Sequence, residues 1–188
     1  MVKHQFFLIA LGANMPSAAG SPDVTSRSAL RKLSAAGARE VISSRFFATP
    51  CFPPGAGPDY VNAAAGLTFD GGPEDLLAVL HGIEADFGRE RVQRWGQRVL
   101  DLDLIAAGEA VLPDAETYRA WLDLPLDEQT QRAPDRLILP HPRMQDRAFV
   151  LVPLAEVAPE WRHPVLGKTV AEMVEALPQE ARDEVVPL

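Results

Sequence analysis

Leu100-Asp101-Leu102-Asp103-Leu104 alternates apolar and acidic side chains. A period of two belongs to a strand, where residues two apart share a face and lie roughly 6.6–6.8 Å from each other. A helix would send the two carboxylates to nearly opposite sides. Read as a strand, the segment buries its leucines and stands Asp101 and Asp103 side by side on the other face. Asp is disfavoured in strands, so two on one face ask for a reason. A hard cation such as Mg²⁺ would relieve their repulsion and could also bind phosphate oxygens. The same pattern also suits an ordinary half-exposed amphipathic strand.

Working outward, the spacing predicts a strand over Leu100–Ala106 and a helix over Glu74–Phe87, with Leu76, Leu77, Leu80, Ile83 and Phe87 on one face. Before them come strands at Tyr60–Phe69 and Glu40–Phe47, separated by a proline-rich loop from Thr49 to Pro58. A helix opening at Ser21-Pro22-Asp23 runs through Leu33, with Val24, Leu30 and Leu33 as its apolar residues, and Gly37 ends it. Phe6–Leu11 is a short continuous apolar run bounded by turn residues, as a central strand is. The order strand, helix, strand, strand, helix, strand predicts an α+β fold. It is a ferredoxin-like βαββαβ sandwich, with an antiparallel sheet, helices packed on it, and C-terminal extensions. Arg136–Leu139 is expected as a short strand, and Phe149–Val157 and Val170–Leu177 as late helices. The stretch from Pro113 to Pro134 is long for an unstructured connection. It should hold a helical turn or two, anchored by Trp121, Leu122, Leu124 and Leu126.

The 188 residues suit one domain over 1–188 with a sizeable core. Apolar residues at 47% and charged residues at 23% exclude a disordered chain. Net charge is −8, from 18 basic and 26 acidic residues, which opposes nucleic-acid binding without a strong local basic patch. Cys51 is the one cysteine, so no intrachain disulfide forms and a reducing, cytoplasmic location fits. No apolar run approaches the roughly 20 residues that span a bilayer. Phe6–Leu11 also falls short of the roughly 7–15 residues of a signal-peptide core. Membrane partners are therefore not expected.

Gly88 to Arg98 lies directly before the acidic strand and carries Arg89, Arg91, Arg94 and Arg98. Guanidinium forks bind phosphate oxygens bidentately, so metal on one side and arginines on the other would clamp a polyphosphate. A solvated charged loop is the plainer reading. So is a general bias, since the chain uses 15 Arg against 3 Lys. Gly88 and Gly96 bracket the segment as a lid's hinges would. A second basic group is Arg136, His141, Arg143 and Arg147, and His141 there is equally a structural loop histidine. Gly167-Lys168-Thr169 imitates a P-loop end, but the required upstream glycine falls on Arg162. Thr169 and Glu172 instead form a capping box.

These segments together resemble the 6-hydroxymethyl-7,8-dihydropterin pyrophosphokinase family. Gly12-Ala13-Asn14 is similar to its Gly-Ser-Asn opening. Thr49-Pro50 and Tyr60-Val61-Asn62-Ala63 resemble its pterin-binding stretch, and Arg94 to Asp103 its signature. Leu139 to Met144 with Arg147-Ala148-Phe149 resembles its later elements. The resemblance implies ATP as co-substrate, two Mg²⁺ ions on Asp101 and Asp103, and transfer of diphosphate to the hydroxymethyl-dihydropterin with release of AMP. It implies catalytic roles for Arg89, Arg91, Trp95 and Arg98, and nucleotide contacts for Glu84, Arg98, Arg136, His141 and Arg147. It implies pterin contacts for Thr49, Pro50, Phe52, Tyr60, Asn62, Trp95 and Phe149. Gln97 replaces a usual proline, Phe47 a usual tyrosine, and the basic loop is one residue short. The stretch from 114 to 135 is an insertion relative to compact members. A monomer is expected. The rival readings are a different Mg²⁺-dependent phosphotransferase and a non-enzymatic ferredoxin-like ligand-binding domain.

Overall fold

The computed structural model describes residues 5–51, 57–88, 99–125, 128 and 132–188. The first strand, β1 (Gln5–Ala13), carries alternate residues to two separate cores. Phe7, Ile9 and Leu11 join one, and Leu8 and Ala10 the other. A strand covered on both faces has no polar side to display, which is why its sequence reads as an unbroken apolar run.

β1 pairs antiparallel with β4 (Tyr60–Phe69) on one side and β5 (Asp101–Ala107) on the other. Beyond β4 lie β2 (Arg39–Ser43) and β3 (Phe47–Thr49), and β6 (Val186–Pro187) pairs with β3. All these pairings are antiparallel, and with the helices they make the expected ferredoxin-like arrangement. On the first core's side pack α1 (Pro22–Ala35), with Ala29 and Leu33, and α2 (Pro73–Asp86), with Leu76, Leu80 and Ile83. On the second core's side pack α4 (Ala148–Val157) and α5 (Val170–Ala176). The short α6 (Gln179–Asp183) leads into β6. The two flanking layers cover both faces of the sheet.

Several expectations shift. The strand read as Glu40–Phe47 is two strands, because the Ser44 hydroxyl accepts from Ala64 N at 2.9 Å where a ladder carbonyl would. Such side-chain bonds compete with sheet pairing. Val24, one of the apolar residues read on α1, is exposed, and Thr25, Ser26, Ala29 and Leu33 face inward. The strand expected at Arg136–Leu139 is a single bridge, Leu139 to Leu112. The two-residue β6 and five-residue α6 were not foreseen, being too short to show a period. Thr169 caps α5 as expected, accepting from Glu172 N at 3.1 Å while Glu172 Oε2 accepts from Thr169 N at 2.7 Å.

Within the stretch from 114 to 135, α3 (Ala115–Leu122) supplies the expected helical turns. Asp114 caps it, accepting from Thr117 N at 2.8 Å. Tyr118 is fully buried and meets the buried His163, Oη to Nε2, at 2.9 Å. His163 Nδ1 accepts from Val165 N at 3.2 Å and Leu166 N at 3.1 Å. Nδ1 is thus unprotonated, and Nε2 carries the hydrogen donated to Tyr118. Burial pushes the His163 pKa down to about 4.

In the unfolded chain this imidazole titrates near 6.5, so the unfolded state takes up the proton first. The stability His163 contributes is complete above about pH 6.5 and is lost as pH falls toward 4. Thermal melts across that window should therefore show a shallower decline for His163→Gln than for the parent chain. Parallel declines would mean that protonation of His163 is not coupled to unfolding.

Candidate active site

The register of β5 decides where the acidic pair points. Asp101 lies opposite Gly12, Leu102 opposite Leu11, Asp103 opposite Ala10 and Leu104 opposite Ile9. The ladder is regular there, and its one shift falls beyond the pair, where Leu8 meets Ala106. Leu102 and Leu104 enter the α2-side core. Asp101 and Asp103 are both half-buried and share the opposite face, the one on which α4 packs against β4.

Gly12 also lies opposite Asn62 of β4, and Asn62 opposite Phe47 of β3. Directly opposed residues occupy one face, so Asp101, Gly12, Asn62 and Phe47 form a row across the sheet. Tyr60, two residues from Asn62, and its partner Thr49 share that face. A Cβ at Gly12 would come within 3.0 Å of Asn62 Oδ1, so the glycine makes room for the amide. Asn62 Nδ2 donates to Thr49 Oγ1 at 2.6 Å, and both residues are buried. The result is a polar, fixed wall with Tyr60 half-buried beside it. Asn14 Nδ2 donates to Pro58 O at 3.2 Å and ties the end of β1 to the loop before β4. Pro50 is exposed immediately after β3. Phe149, 40% exposed, stands in the first turn of α4, which packs on β4.

β5 is an edge strand, and its outer backbone groups are satisfied from outside the sheet. Glu84, buried on α2, accepts from Leu102 N at 2.7 Å. His141 N donates to Ile105 O at 2.8 Å. These two bonds draw α2 and the segment around His141 to the strand that carries the carboxylates. A hollow of about 640 Å³ lies between them, within the usual range for small-molecule sites. Asp103, Glu84, Arg136, His141, Arg143 and Arg147 supply its polar lining, and Leu77, Leu104 and Ile138 an apolar side.

His141 Nδ1 accepts from Arg143 N at 3.1 Å, which leaves its Nε2 as an N–H donor. Burial foremost, then Arg147 and Arg143, push its pKa down to about 3, while Asp101 opposes the shift. His141 is therefore a neutral donor at physiological pH. Arg136 is exposed, with Nε 3.5 Å from Asp135. The Arg147 guanidinium lies 5.7 Å from the Phe149 ring centre. Another hollow, of about 540 Å³, lies toward the opposite edge of the sheet among Arg27, Arg45, Phe46 and Leu188. It holds none of the expected site residues.

Phe52, Arg89, Arg91, Trp95 and Arg98 lie outside the described residues. Among the polar residues lining the larger hollow, His81, Arg132 and Asp135 were not singled out from the sequence, Trp121 was read only as an apolar anchor, and Arg143 only as part of the second basic group. The signal for His81 was its spacing of three from Glu84 on one helix, which puts both on the same side. Among the described residues no group of three or more His, Cys, Asp or Glu stands ready for a metal. A pair of half-exposed carboxylates nevertheless fits Mg²⁺, which commonly takes one or two carboxylates and completes its shell with water and phosphate oxygens.

A family model described as 7,8-dihydro-6-hydroxymethylpterin-pyrophosphokinase (HPPK) matches residues 8–159. Curated relatives carry the name 2-amino-4-hydroxy-6-hydroxymethyldihydropteridine pyrophosphokinase. One, from Synechocystis sp., is 44% identical over 118 residues, 63% of this chain and 50% of that one. One from Pseudomonas aeruginosa is 39% identical over 76% of this chain and 75% of its own length. One from Haemophilus influenzae is 34% identical over 80% and 79%. The chain thus spans half the Synechocystis relative and about three quarters or more of the other two. A solved Plasmodium falciparum HPPK-DHPS structure superposes with a TM-score of 0.66 at 14% identity, over 94% of this chain and 46% of that one. That likeness establishes the fold. The match over residues 8–159, together with these relatives, establishes that the chain belongs to the 7,8-dihydro-6-hydroxymethylpterin-pyrophosphokinase family, a family of ATP-using diphosphotransferases.

Proposed function

We propose that this chain transfers the terminal diphosphate of ATP to 6-hydroxymethyl-7,8-dihydropterin, releasing AMP, as a Mg²⁺-dependent step of folate biosynthesis. The observation that carries this reading is the shared sheet face. Asp101 and Asp103 stand in one row system with Asn62, Thr49 and Tyr60, and Asp103 borders the cationic hollow. One side suits a polyphosphate and the other a flat heterocycle with a polar rim.

Asp101 and Asp103 would hold the two Mg²⁺ ions. Magnesium bound there would neutralise charge on the phosphate oxygens. Arg136, Arg147 and the His141 Nε2–H would bind the nucleotide side, with Glu84 fixing the strand edge. Thr49, Asn62, Tyr60 and Phe149, with Pro50, Phe52 and Trp95, would bind the pterin. Arg89, Arg91 and Arg98 would meet the phosphates. The pterin's hydroxymethyl oxygen attacks the β-phosphorus and forms the new O–P bond. The bond from the β-phosphorus to the bridging oxygen of the α-phosphate breaks, AMP leaves with that oxygen, and the alcohol proton departs to solvent. Catalysis is positioning and charge stabilisation. The same reading has the chain acting as a monomer in the cytoplasm, with Cys51 buried.

Mixing the protein with MgATP and the hydroxymethyl-dihydropterin should yield AMP and pterin diphosphate in equal amounts. AMP formed only with other alcohols would point to a different phosphotransferase, and no AMP at all to a ligand-binding domain. Asp101→Ala and Asp103→Ala should each lower turnover roughly 10²- to 10³-fold. Each should leave the melting temperature unchanged or raised, since a like-charge neighbour is removed. Normal turnover in both variants would refute the metal role. Gly12→Ala should raise KM for the pterin more than KM for ATP, because the added methyl meets Asn62 Oδ1. Equal changes in both constants would detach Asn62 from the pterin.

A further inference from the structure

α3 and Arg132 both reach the large hollow. On α3 the inward residues are Tyr118, Trp121 and Leu122, spaced three and four apart. Tyr118 is spent on His163, which fixes the helix in position. Trp121 is only half-buried, and it lines the large hollow beside Leu104 and Leu77. Arg132, from the far end of the same stretch, lines the hollow too, with its guanidinium 5.6 Å from the Trp121 ring centre.

The lining of the hollow therefore combines two chemistries. His141, Arg143 and Arg147 supply groups suited to phosphates, and Trp121, Leu77 and Leu104 supply apolar surface. A large aromatic held by a cation at the rim of such a cavity is a stacking platform for a planar base. We propose that Trp121, backed by Arg132, contacts the base of the bound nucleotide, so that these two residues form a specificity wall of the ATP site. The inference rests on the ATP-using reading above and extends it to residues that reading leaves without a role. Trp121 is a binding residue in this scheme, and nothing in the phosphoryl chemistry requires it.

The test is equilibrium titration of the full chain with a non-hydrolysable ATP analogue and, separately, with inorganic tripolyphosphate, both in Mg²⁺. Trp121→Ala should weaken the nucleotide analogue roughly 10- to 30-fold. It should leave tripolyphosphate affinity and pterin affinity unchanged. Trp121→Phe should retain most of the affinity, because a ring remains. Arg132→Ala, at an exposed position that folding tolerates, should weaken the analogue by a smaller factor and leave tripolyphosphate alone. Equal loss for both ligands, or no loss for either, overturns the proposal. So does a lowered melting temperature with unchanged nucleotide affinity, which would make Trp121 a packing residue. A parent chain that forms AMP while Trp121→Ala binds the analogue normally sinks this inference alone. A parent chain that binds no nucleotide sinks the ATP-using reading along with it.

Discussion

β1 is hydrogen-bonded on both edges and buried on both faces, and the site residues on β4 and β5 take their direction from that strand. Phe7, Leu8, Ile9 and Leu11 are almost wholly removed from water, each contributing about 1.5–3 kcal/mol of burial. A slip of one residue in either ladder would turn every one of β1's partners to the wrong face. The register is therefore held by far more energy than any site residue supplies. That register puts Gly12 between Asp101 and Asn62, and through Gly12 an acidic pair and a polar wall from strands distant in sequence come to share one surface.

The carboxylates need an exposed edge to reach a ligand, yet an edge strand leaves backbone groups unpaired. Here the two needs are met by the same parts. Glu84 and the backbone of His141 close the outer side of β5, and in doing so they bring α2 and the cationic segment around the hollow. Glu84 thus acts as a structural acceptor as well as a cavity wall. The strand also breaks a local preference, since Asp-x-Asp is a poor strand sequence. Local rules tend to be broken where a site requires it.

Charge is arranged against the protein's own average. A chain of net charge −8 gathers Arg136, Arg143 and Arg147 around one hollow. The neutral His141 adds an N–H donor without adding to the repulsion among those guanidiniums, which themselves help hold its pKa down. A cavity lined this way attracts an anion locally although the surface as a whole repels one. Under the proposed function, the half-buried carboxylates at its border would supply the metal-binding counterpart to these cations.

Alternation, helical spacing and turn residues are local properties, and they were legible in the chain alone. They yielded the strand-helix order, the common face of Asp101 and Asp103, the capping box at Thr169 and the helical turns after Asp114. Ser44 escaped because its hydroxyl replaces a carbonyl in pairing with Ala64, a bond between residues twenty apart. The inward face of α1 was not legible, because two of its buried residues, Thr25 and Ser26, are polar. The clasp of Tyr118 on His163 and the placing of Trp121 and Leu104 around one hollow were decided only by tertiary packing. Sequence specifies which face a residue takes within its own element, since that follows from backbone geometry. Which distant element it then meets depends on how whole faces exclude water together, and no short window of the chain contains that information.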